Sequence, residues 1–250
     1  MTHDLLDVAE APAAHVQPRP KHVVVTDRYV VTSLGPVLGV VQRIRLAPDE
    51  VASAVEEVRQ IGRERGWSQI AWWVGERSTP PDLAERLGFA SEDTLAAMAL
   101  TSPPAGEPVA ELRRVENADD FRRAQEIDLI GMGCPEEELA ARLEQSRAAW
   151  EWMRETFLLW LAYIDGEPVG MARAARADTA LLLVGGATLP HARGRGVYTS
   201  LVHARWREAV ARGTPALVVQ AGEMSRPILE RLGFEHLGEI RQLVDRVHSR

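Results

Sequence analysis

The sequence has almost no cysteine and no long apolar run. Cys134 is the single cysteine among 250 residues, so no disulfide can form within the chain and a cysteine-based zinc site is disfavoured. The seven histidines show no metal-ligand spacing, and we expect no metal. No stretch of about 18 apolar residues could span a bilayer, and the first residues lack the apolar core of a signal peptide. These absences predict a soluble cytoplasmic protein with no membrane partner.

An excess of positive charge is also missing. The 29 Lys and Arg residues are outnumbered by 36 Asp and Glu residues, for a net charge of −7. Nucleic acids bind basic surfaces, so this balance argues against a nucleic-acid partner. A hydrophobic content of 46% is ordinary for a globular core, and the length allows one large domain or two small ones.

Proline and glycine indicate where the chain divides. Residues 1–20 are rich in Ala and Pro without periodicity, which predicts a loose N-terminal arm. The segment TSPPAGEP, ending at Pro108, is the best domain boundary. The predicted organisation is therefore a first domain over 21–101, a linker over 102–108 and a second domain over 109–250.

Hydrophobic patterns predict alternating strands and helices in both halves, hence an α/β class. In the first half they predict strands within 22–46, a helix capped by Asp49 and ended by Gly66, a strand over 70–74, a short helix over 80–87 and a strand over 94–100. In the second half they predict strands over 109–115, 157–164, 168–177, 181–189 and 216–221, helices between 118 and 155, and a last strand over 236–247 near a sheet edge.

Two short segments indicate an internal repeat. Residues 81–89, PDLAERLGF, and 226–234, RPILERLGF, share Glu-Arg-Leu-Gly-Phe without a gap. A strand and, before it, a long helix precede both segments, which favours duplication. The loops before the long helices differ: PHARGRG in the second half and LAPDE in the first. Only the second loop has the glycines that can cradle a phosphate, so the first half is interpreted as a degenerate copy.

The loop of the second half follows an apolar strand and opens a helix. Leu181 to Leu189 is the strand, Pro190 to Gly196 is the loop, and the helix begins near Val197. Glycines let backbone N–H groups point at an anion, and a helix N-terminus adds the positive end of its dipole. The arrangement predicts a phosphate-binding site.

This region resembles the GNAT superfamily of acyl-CoA-dependent N-acetyltransferases, in a tandem form with a degenerate N-terminal repeat. The family pattern is Gln/Arg-x-x-Gly-x-Gly/Ala, and here it is Arg193-x-x-Gly196-x-Tyr198. The resemblance covers about residues 109–247 and, more weakly, 22–100. Element order and the terminal Leu-Gly-Phe support it. The resemblance implies two GNAT-like repeats, each with a mixed, mostly antiparallel sheet flanked by helices.

The resemblance implies an acetyl-CoA site in the second half. Ala187 and Thr188 would pair with the pantetheine amides. Two strands, 181–189 and 216–221, would splay apart to leave a slot for the thioester, which an amine attacks directly. The pyrophosphate would be held by the backbone of Arg193, Gly194, Arg195, Gly196, Val197, Tyr198 and Thr199.

Two positions depart from the family pattern. Tyr198 stands where the family prefers Gly or Ala; it either packs on the neighbouring strand or reaches phosphate or the reacting centre. Leu229 stands where the family's usual proton-donating tyrosine lies. The strand before the loop has no carboxylate, so Glu223 is the first candidate for the base, followed by Glu126 and Asp128. The candidate catalytic residues are thus Glu223 and Tyr198.

The sequence therefore predicts an N-acetyltransferase that transfers an acetyl group from acetyl-CoA to a primary amine of a small molecule. The alternative is a catalytically weak or inactive CoA-binding or sensing module, which the leucine at position 229 motivates. A monomer or a homodimer is compatible with either function.

Overall fold

The computed structural model describes residues 5–18, 20 and 22–247. Its internal contacts divide the chain into two compact units. The first comprises Met1–Ala99, Gln220–Ile228 and Glu235–Arg250, and the second comprises Leu100–Val219 and Leu229–Phe234. Each unit contains a mixed, mostly antiparallel sheet flanked by helices, which confirms the predicted fold class.

The N-terminal half of the chain alternates short strands with helices. Its elements are α1 (Leu5–Glu10), α2 (Pro12–His15), β1 (Val16–Gln17), β2 (Val24–Val25), β3 (Val30–Ser33), β4 (Leu38–Gln42), α3 (Val51–Arg65), β5 (Gln69–Val74), α4 (Leu83–Leu87) and β6 (Ala90–Leu100).

The C-terminal half has longer strands and helices. Its elements are β7 (Glu111–Arg114), α5 (Ala118–Gly131), α6 (Glu136–Arg147), α7 (Trp150–Thr156), β8 (Phe157–Ile164), β9 (Glu167–Ala177), β10 (Leu181–Thr188), a 3-10 turn (Pro190–Ala192), α8 (Val197–Ala211), β11 (Leu217–Ala221), α9 (Arg226–Arg231) and β12 (Glu235–Arg246).

In the first unit the sheet order is β2-β3-β4-β5-β12-β6. Strands β4 and β5 are parallel and are joined through α3, while the other neighbours are antiparallel. The apolar stripe of α3 packs into a core with Ile70 and Trp72 because Val51, Val55 and Val58 recur at helical spacing. The helix ends, as predicted, at Gly66 in the left-handed conformation.

The predicted cap of α3 is wrong by one residue. Glu50 occupies the N-cap position rather than Asp49, and its side chain makes no bond to the helix N–H groups. Instead the Glu50 carboxylate accepts a 2.7 Å hydrogen bond from the backbone N–H of Ala47. The longer glutamate side chain reaches back over the preceding turn, which a sequence pattern of Asp followed by Glu does not distinguish.

In the second unit the sheet order is β11-β10-β9-β8-β7. Strands β10 and β11 are parallel and joined through α8, and the other pairs are antiparallel. Asp165 and Gly166 both have positive φ, so the predicted tight hairpin between β8 and β9 is present. Asn117 caps α5 by accepting a hydrogen bond from the N–H of Asp120.

Both halves of the chain contain the same succession of elements. In the first it is β3, β4, α3, β5 and α4; in the second it is β9, β10, α8, β11 and α9. In each, an antiparallel pair is followed by a parallel pair whose crossover is a 15-residue helix. The shared topology supports duplication more strongly than five identical residues do.

The described residues of the N-terminal segment, 5–18 and 20, differ from the loose arm expected over residues 1–20, of which 1–4 and 19 lie outside the described residues. Helices α1 and α2 are formed, and Val8 and Ala9 are 2% and 0% exposed. The side-chain amide of Gln220 donates a 2.6 Å hydrogen bond to the carbonyl of Ala9, and Arg45 pairs with Asp7 at 3.2 Å. Helices of four and six residues are too short for hydrophobic periodicity to reveal.

The last strand, β12, was predicted to lie near a sheet edge of the second domain, and its observed position is different. β12 pairs antiparallel with β5 on one side and with β6 on the other, all within the first unit. Its charged residues find partners there: Asp245 with Arg59 and Arg241 with Glu85. Pairing of the polar side chains explains why a polar strand lies inside a sheet.

We predict that Asp245→Asn destabilises the first unit. Asp245 is 4% exposed and accepts two hydrogen bonds, of 2.7 and 3.0 Å, from Arg59. Loss of the buried charge should cost about 1–3 kcal/mol of unfolding free energy, below the full value for a buried pair because Arg59 is partly exposed. Urea unfolding measures the change. The control is Glu56→Gln, which removes an exposed partner of the same arginine; an equal loss in both variants would contradict the prediction.

Candidate active site

A β-bulge interrupts strand β10. Leu183 is opposite Ala174 of β9 and Gly186 is opposite Ala172, so Val184 and Gly185 together face the single residue Arg173. Gly185 has a φ of 137°, a conformation that favours glycine. The extra residue changes the direction of the strand at this point.

Beyond the bulge, one edge of β10 no longer pairs with β11. The register with β11 covers Leu181 to Leu183 and ends where the bulge begins. Val184, Gly185 and Gly186 are exposed, and Ala187 and Thr188 are half-buried. An exposed strand edge presents backbone N–H and C=O groups to any extended molecule that carries amides.

The loop after β10 leads into the N-terminus of α8. Gly194 and Gly196 have φ values of 75° and 76°, and Gly196 is the N-cap of α8. The first backbone hydrogen bond of the helix runs from the N–H of Ser200 to the carbonyl of Gly196. The N–H groups before it belong to the first turn, which has no carbonyl partners within a helix. This arrangement is suited to binding an anion.

The two loop arginines have different roles in the free protein. Arg193 donates to the carbonyls of Thr188 and Gly131, each at 3.3 Å, and so ties the loop to the end of β10 and to the end of α5. Arg195 is about half exposed and is 3.5 Å from the carboxylate of Asp165. Arg193 therefore frames the loop, while the charge of Arg195 lies in solvent beside it.

The start of α8 is fixed by a buried serine. The Ser200 hydroxyl accepts hydrogen bonds from the N–H groups of Val109 and Ala110, at 2.9 and 3.1 Å, and donates to the carbonyl of Gly196. A Cβ on Gly196 would lie 2.9 Å from a methyl carbon of Val109. The chain at 109–110 thus holds the glycine of the loop in place.

Tyr198 lies on α8 beside the strand edge. Its ring is within 3.5 Å of the position that a Cβ on Gly186 would take, and the Arg205 guanidinium is 5.7 Å from the ring centre. Arg205 is 1% exposed and burial lowers its pKa. The ring of Tyr198 therefore packs against the neighbouring strand, which is one of the two expectations for this residue. A buried cation lies beside the ring.

The structure separates the other predicted residues. Glu223 is exposed in the loop after β11 and falls in the first unit, so its role stays a prediction. Leu229 is fully buried in the second unit, where it serves packing. Glu126 forms an exposed ion pair with Arg123 on α5.

Asp128 makes the contact that sequence reasoning missed. It is 9% exposed, and it accepts a 2.8 Å hydrogen bond from Arg173, the residue opposite the bulge. The one available signal was an arginine in the otherwise small and apolar run Met171–Ala175 of β9. The role of this arginine depends on the bulge in β10 and on Asp128 of α5, and neither is its neighbour in the sequence.

The corresponding loop of the first unit has a different form. Residues 43–50 between β4 and α3 contain no glycine. The Glu50 carboxylate occupies the turn before α3 through its bond to Ala47. A carboxylate at this end of the helix repels a phosphate, so the loop lacks the anion site of its counterpart.

Over residues 5–18, 20 and 22–247, no helix is long and apolar enough to cross a membrane. Over the same residues, no group of three or more His, Cys, Asp or Glu side chains could hold a metal ion.

Comparison with known proteins assigns the second half of the chain to a family. Residues 126–234 match the model of the acetyltransferase (GNAT) family. These residues therefore form a GNAT acetyltransferase domain, and the family implies acetyl transfer from an acyl-CoA donor. No curated protein matches the chain in sequence.

Solved structures share the fold over nearly the whole chain. A GCN5-related N-acetyltransferase from Kribbella flavida has a TM-score of 0.73 at 18% identity, covering 98% of this chain and 96% of its own. A tandem GNAT protein from the clavulanic acid biosynthesis pathway has a TM-score of 0.64 at 13% identity, covering 98% and 94%. A functionally unknown protein from Staphylococcus epidermidis ATCC 12228 has 0.67 at 11%, covering 94% and 97%. These likenesses support the tandem GNAT architecture predicted from the repeat.

We predict that Ser200→Ala destabilises the second unit. The change removes the acceptor of the backbone N–H groups of Val109 and Ala110. Val109 is 63% exposed, so water can replace part of this bonding. Loss of the two hydrogen bonds should therefore cost about 1–3 kcal/mol in urea unfolding. Ser225→Ala is the control, because that hydroxyl makes a single bond, to Gly222. A Ser200 variant as stable as the Ser225 variant would contradict the assigned role.

Proposed function

We propose that the protein is an N-acetyltransferase that transfers an acetyl group from acetyl-CoA to a primary amine of a small molecule. The observation that carries the proposal is the exposed edge of β10, which leads directly into a glycine loop at the N-terminus of α8. An edge that pairs with amides, followed by an anion site, fits a ligand with an amide-bearing arm and a pyrophosphate.

The chain's own groups suit the two parts of acetyl-CoA. Ala187 and Thr188 on the exposed part of β10 would pair with the pantetheine amides. The N–H groups of Gly194, Gly196 and the first turn of α8, namely Val197, Tyr198 and Thr199, would hold the pyrophosphate. Arg195, which lies beside the loop, would add charge, and Arg193 would keep the loop in shape.

The reaction needs a neutral amine, a polarised carbonyl and a route for protons. The amine nitrogen attacks the thioester carbonyl carbon; the C–N bond forms, the C–S bond breaks, and the electron pair leaves on the CoA sulfur. The amine nitrogen loses one proton to a base or water, and the thiolate takes up one. Backbone N–H groups at the bulge of β10 would stabilise the carbonyl oxygen.

Two side chains are proposed for proton transfer. Tyr198 lies beside the exposed edge of β10, with the Arg205 guanidinium 5.7 Å from its ring centre, and would give a proton to the departing thiolate. Glu223 is proposed as the base from the sequence, because β10 itself carries no carboxylate. Direct transfer leaves no part for Cys134 as a nucleophile.

The alternative function is a CoA-binding module without efficient catalysis. Leu229 favours it, because that side chain is fully buried and has no proton to give. The two functions share the cofactor site and differ in turnover, so binding and activity measured on the same preparation separate them.

We predict that Gly196→Trp lowers the affinity for acetyl-CoA more than 30-fold, measured by calorimetry. The left-handed φ and the contact with Val109 leave no room for a side chain there, and an indole would cover the N–H groups of the loop. The control is Gly213→Ala, which has a φ of 75° and open space around it at the other end of α8. Far-UV circular dichroism checks that both variants fold. Equal affinity in the two variants would place the cofactor elsewhere.

We predict that Tyr198→Phe lowers kcat on the order of 100-fold while the Kd for acetyl-CoA changes less than about threefold. Thiol release over a panel of primary amines measures the rate.

Glu223→Gln should lower kcat/KM near pH 7, and kcat/KM should recover at higher pH, where more of the amine is neutral. Tyr163→Phe on β8 is the control for the tyrosine. Wild-type rates in both variants would remove these residues from the mechanism, and tight binding without any turnover would favour the alternative function.

A further inference from the structure

The ion pair between Asp128 and Arg173 lies at the bulge of β10. Arg173 is the residue of β9 that faces Val184 and Gly185. Its Nη2 atom is 3.2 Å and its Nε atom 3.5 Å from the position of a Cβ on Gly185. The guanidinium is therefore placed against the bend of the strand, next to residues that are exposed.

Within the described residues the pair leaves hydrogen-bonding groups without a partner on both side chains. Arg173 uses Nη2 for the 2.8 Å bond to Oδ2 of Asp128, and its Nε is buried without a partner in the described residues. Within the same residues Oδ1 of Asp128 has no hydrogen bond. A pair that served only to tie α5 to β9 would be expected to use both edges, because a buried donor without a partner costs about 1–3 kcal/mol.

The open groups have complementary chemistry. The Nε–H of Arg173 is a donor on a cation and suits a carboxylate oxygen, whereas the free oxygen of Asp128 is an acceptor on an anion and suits an amine N–H. The two side chains are bonded to each other, so a ligand that satisfies both must carry its amine and its carboxylate a few ångströms apart. The main chain can be approached closely here because Gly185 has no side chain.

We propose that Asp128 and Arg173 bind the acceptor, and that the acceptor is an α-amino acid or another amine with a carboxylate on a neighbouring carbon. The inference rests on the proposed acetyl transfer and adds the substrate class. The carboxylate binds the Nε–H of Arg173, and the amine donates to Oδ1 of Asp128. The amine is then held beside the bulge, where the thioester carbonyl is proposed to lie.

The helix that carries Asp128 is itself fixed to the same strand. Gly131 lies so close to Ala187 that a Cβ on it would be 2.6 Å from the Cβ of that residue, and its carbonyl accepts from Arg193. The end of α5, the end of β10 and the glycine loop are thus connected. A residue one turn before Gly131 is held at a constant distance from the bulge, as recognition of a small acceptor requires.

The test compares each of the twenty α-amino acids with its methyl ester, which keeps the amine and removes the carboxylate charge. Acetyl transfer is followed by thiol release with the full chain. Binding is followed by calorimetry in the presence of saturating CoA, where no transfer takes place. We expect amino acids to be acetylated, with a KM at least 30-fold below that of the matched ester, and to bind the CoA complex with the same preference.

Variants assign the preference to the pair. Arg173→Gln should raise the KM of the amino acid at least 30-fold, to the level of the ester, while the KM of the ester and the Kd of acetyl-CoA change less than threefold. Arg173→Lys should restore part of the preference, and Asp128→Asn should raise the KM of acid and ester together. Arg123→Gln, which removes an exposed ion pair on the same helix, is the control and should change neither value.

The outcomes are distinguishable. Acetylation of simple amines and esters in preference to amino acids overturns the inference and leaves the proposed function standing. An equal effect of Arg173→Gln on acid and ester also overturns it, because a merely structural ion pair would act on both. If no amine is acetylated, the proposed function fails; the calorimetric arm still decides the inference, since amino-acid binding that Arg173→Gln abolishes supports it and absence of binding overturns it.

Discussion

The candidate site depends on the interruption of pairing along β10. A strand that stayed in register with β11 along its whole length would bury its backbone groups in the sheet and leave nothing for a ligand. The bulge at Val184 and Gly185 ends the parallel register after three residue pairs. The rest of β10 keeps β9 on one side and has an exposed segment on the other. The anion site at the start of α8, the tyrosine on that helix and the Asp128–Arg173 pair are all positioned relative to this segment.

The two repeats show how small a change removes such a site. Both contain an antiparallel pair, a 15-residue helix and a parallel strand. In the second, Gly194 and Gly196 adopt positive φ and leave the first-turn N–H groups of α8 facing the loop. In the first, Glu50 places its own carboxylate in the turn that precedes α3. The topology is kept while the chemistry is lost, because packing of apolar faces determines the fold and a few loop residues determine whether an anion is attracted.

How far the sequence predicts this molecule depends on the range of each interaction. The strand, glycine loop and helix of residues 181–211 form from neighbours in the chain, so their pattern predicts both the elements and the anion site. The position of β12 between β5 and β6 could not be predicted, because its polar residues are satisfied by Arg59 and Glu85, far away in sequence. Helices α1 and α2 were missed because they are shorter than any reliable period. The role of Arg173 was missed for the same reason as the position of β12. That role depends on a bulge on another strand and on an aspartate on a helix.

Proton transfer is the step in which this chain departs furthest from the family pattern, and the structure limits which residues can donate the proton. Leu229 is buried and inert, so no donor can come from that position. Tyr198 is the proposed donor, at the position two residues after Gly196 where the family prefers glycine or alanine. Its ring lies over the exposed part of β10, and a buried arginine stands beside it. A fully buried cation is costly unless a neighbouring group stabilises it. The ring of Tyr198, whose centre is 5.7 Å from the guanidinium, is such a neighbour.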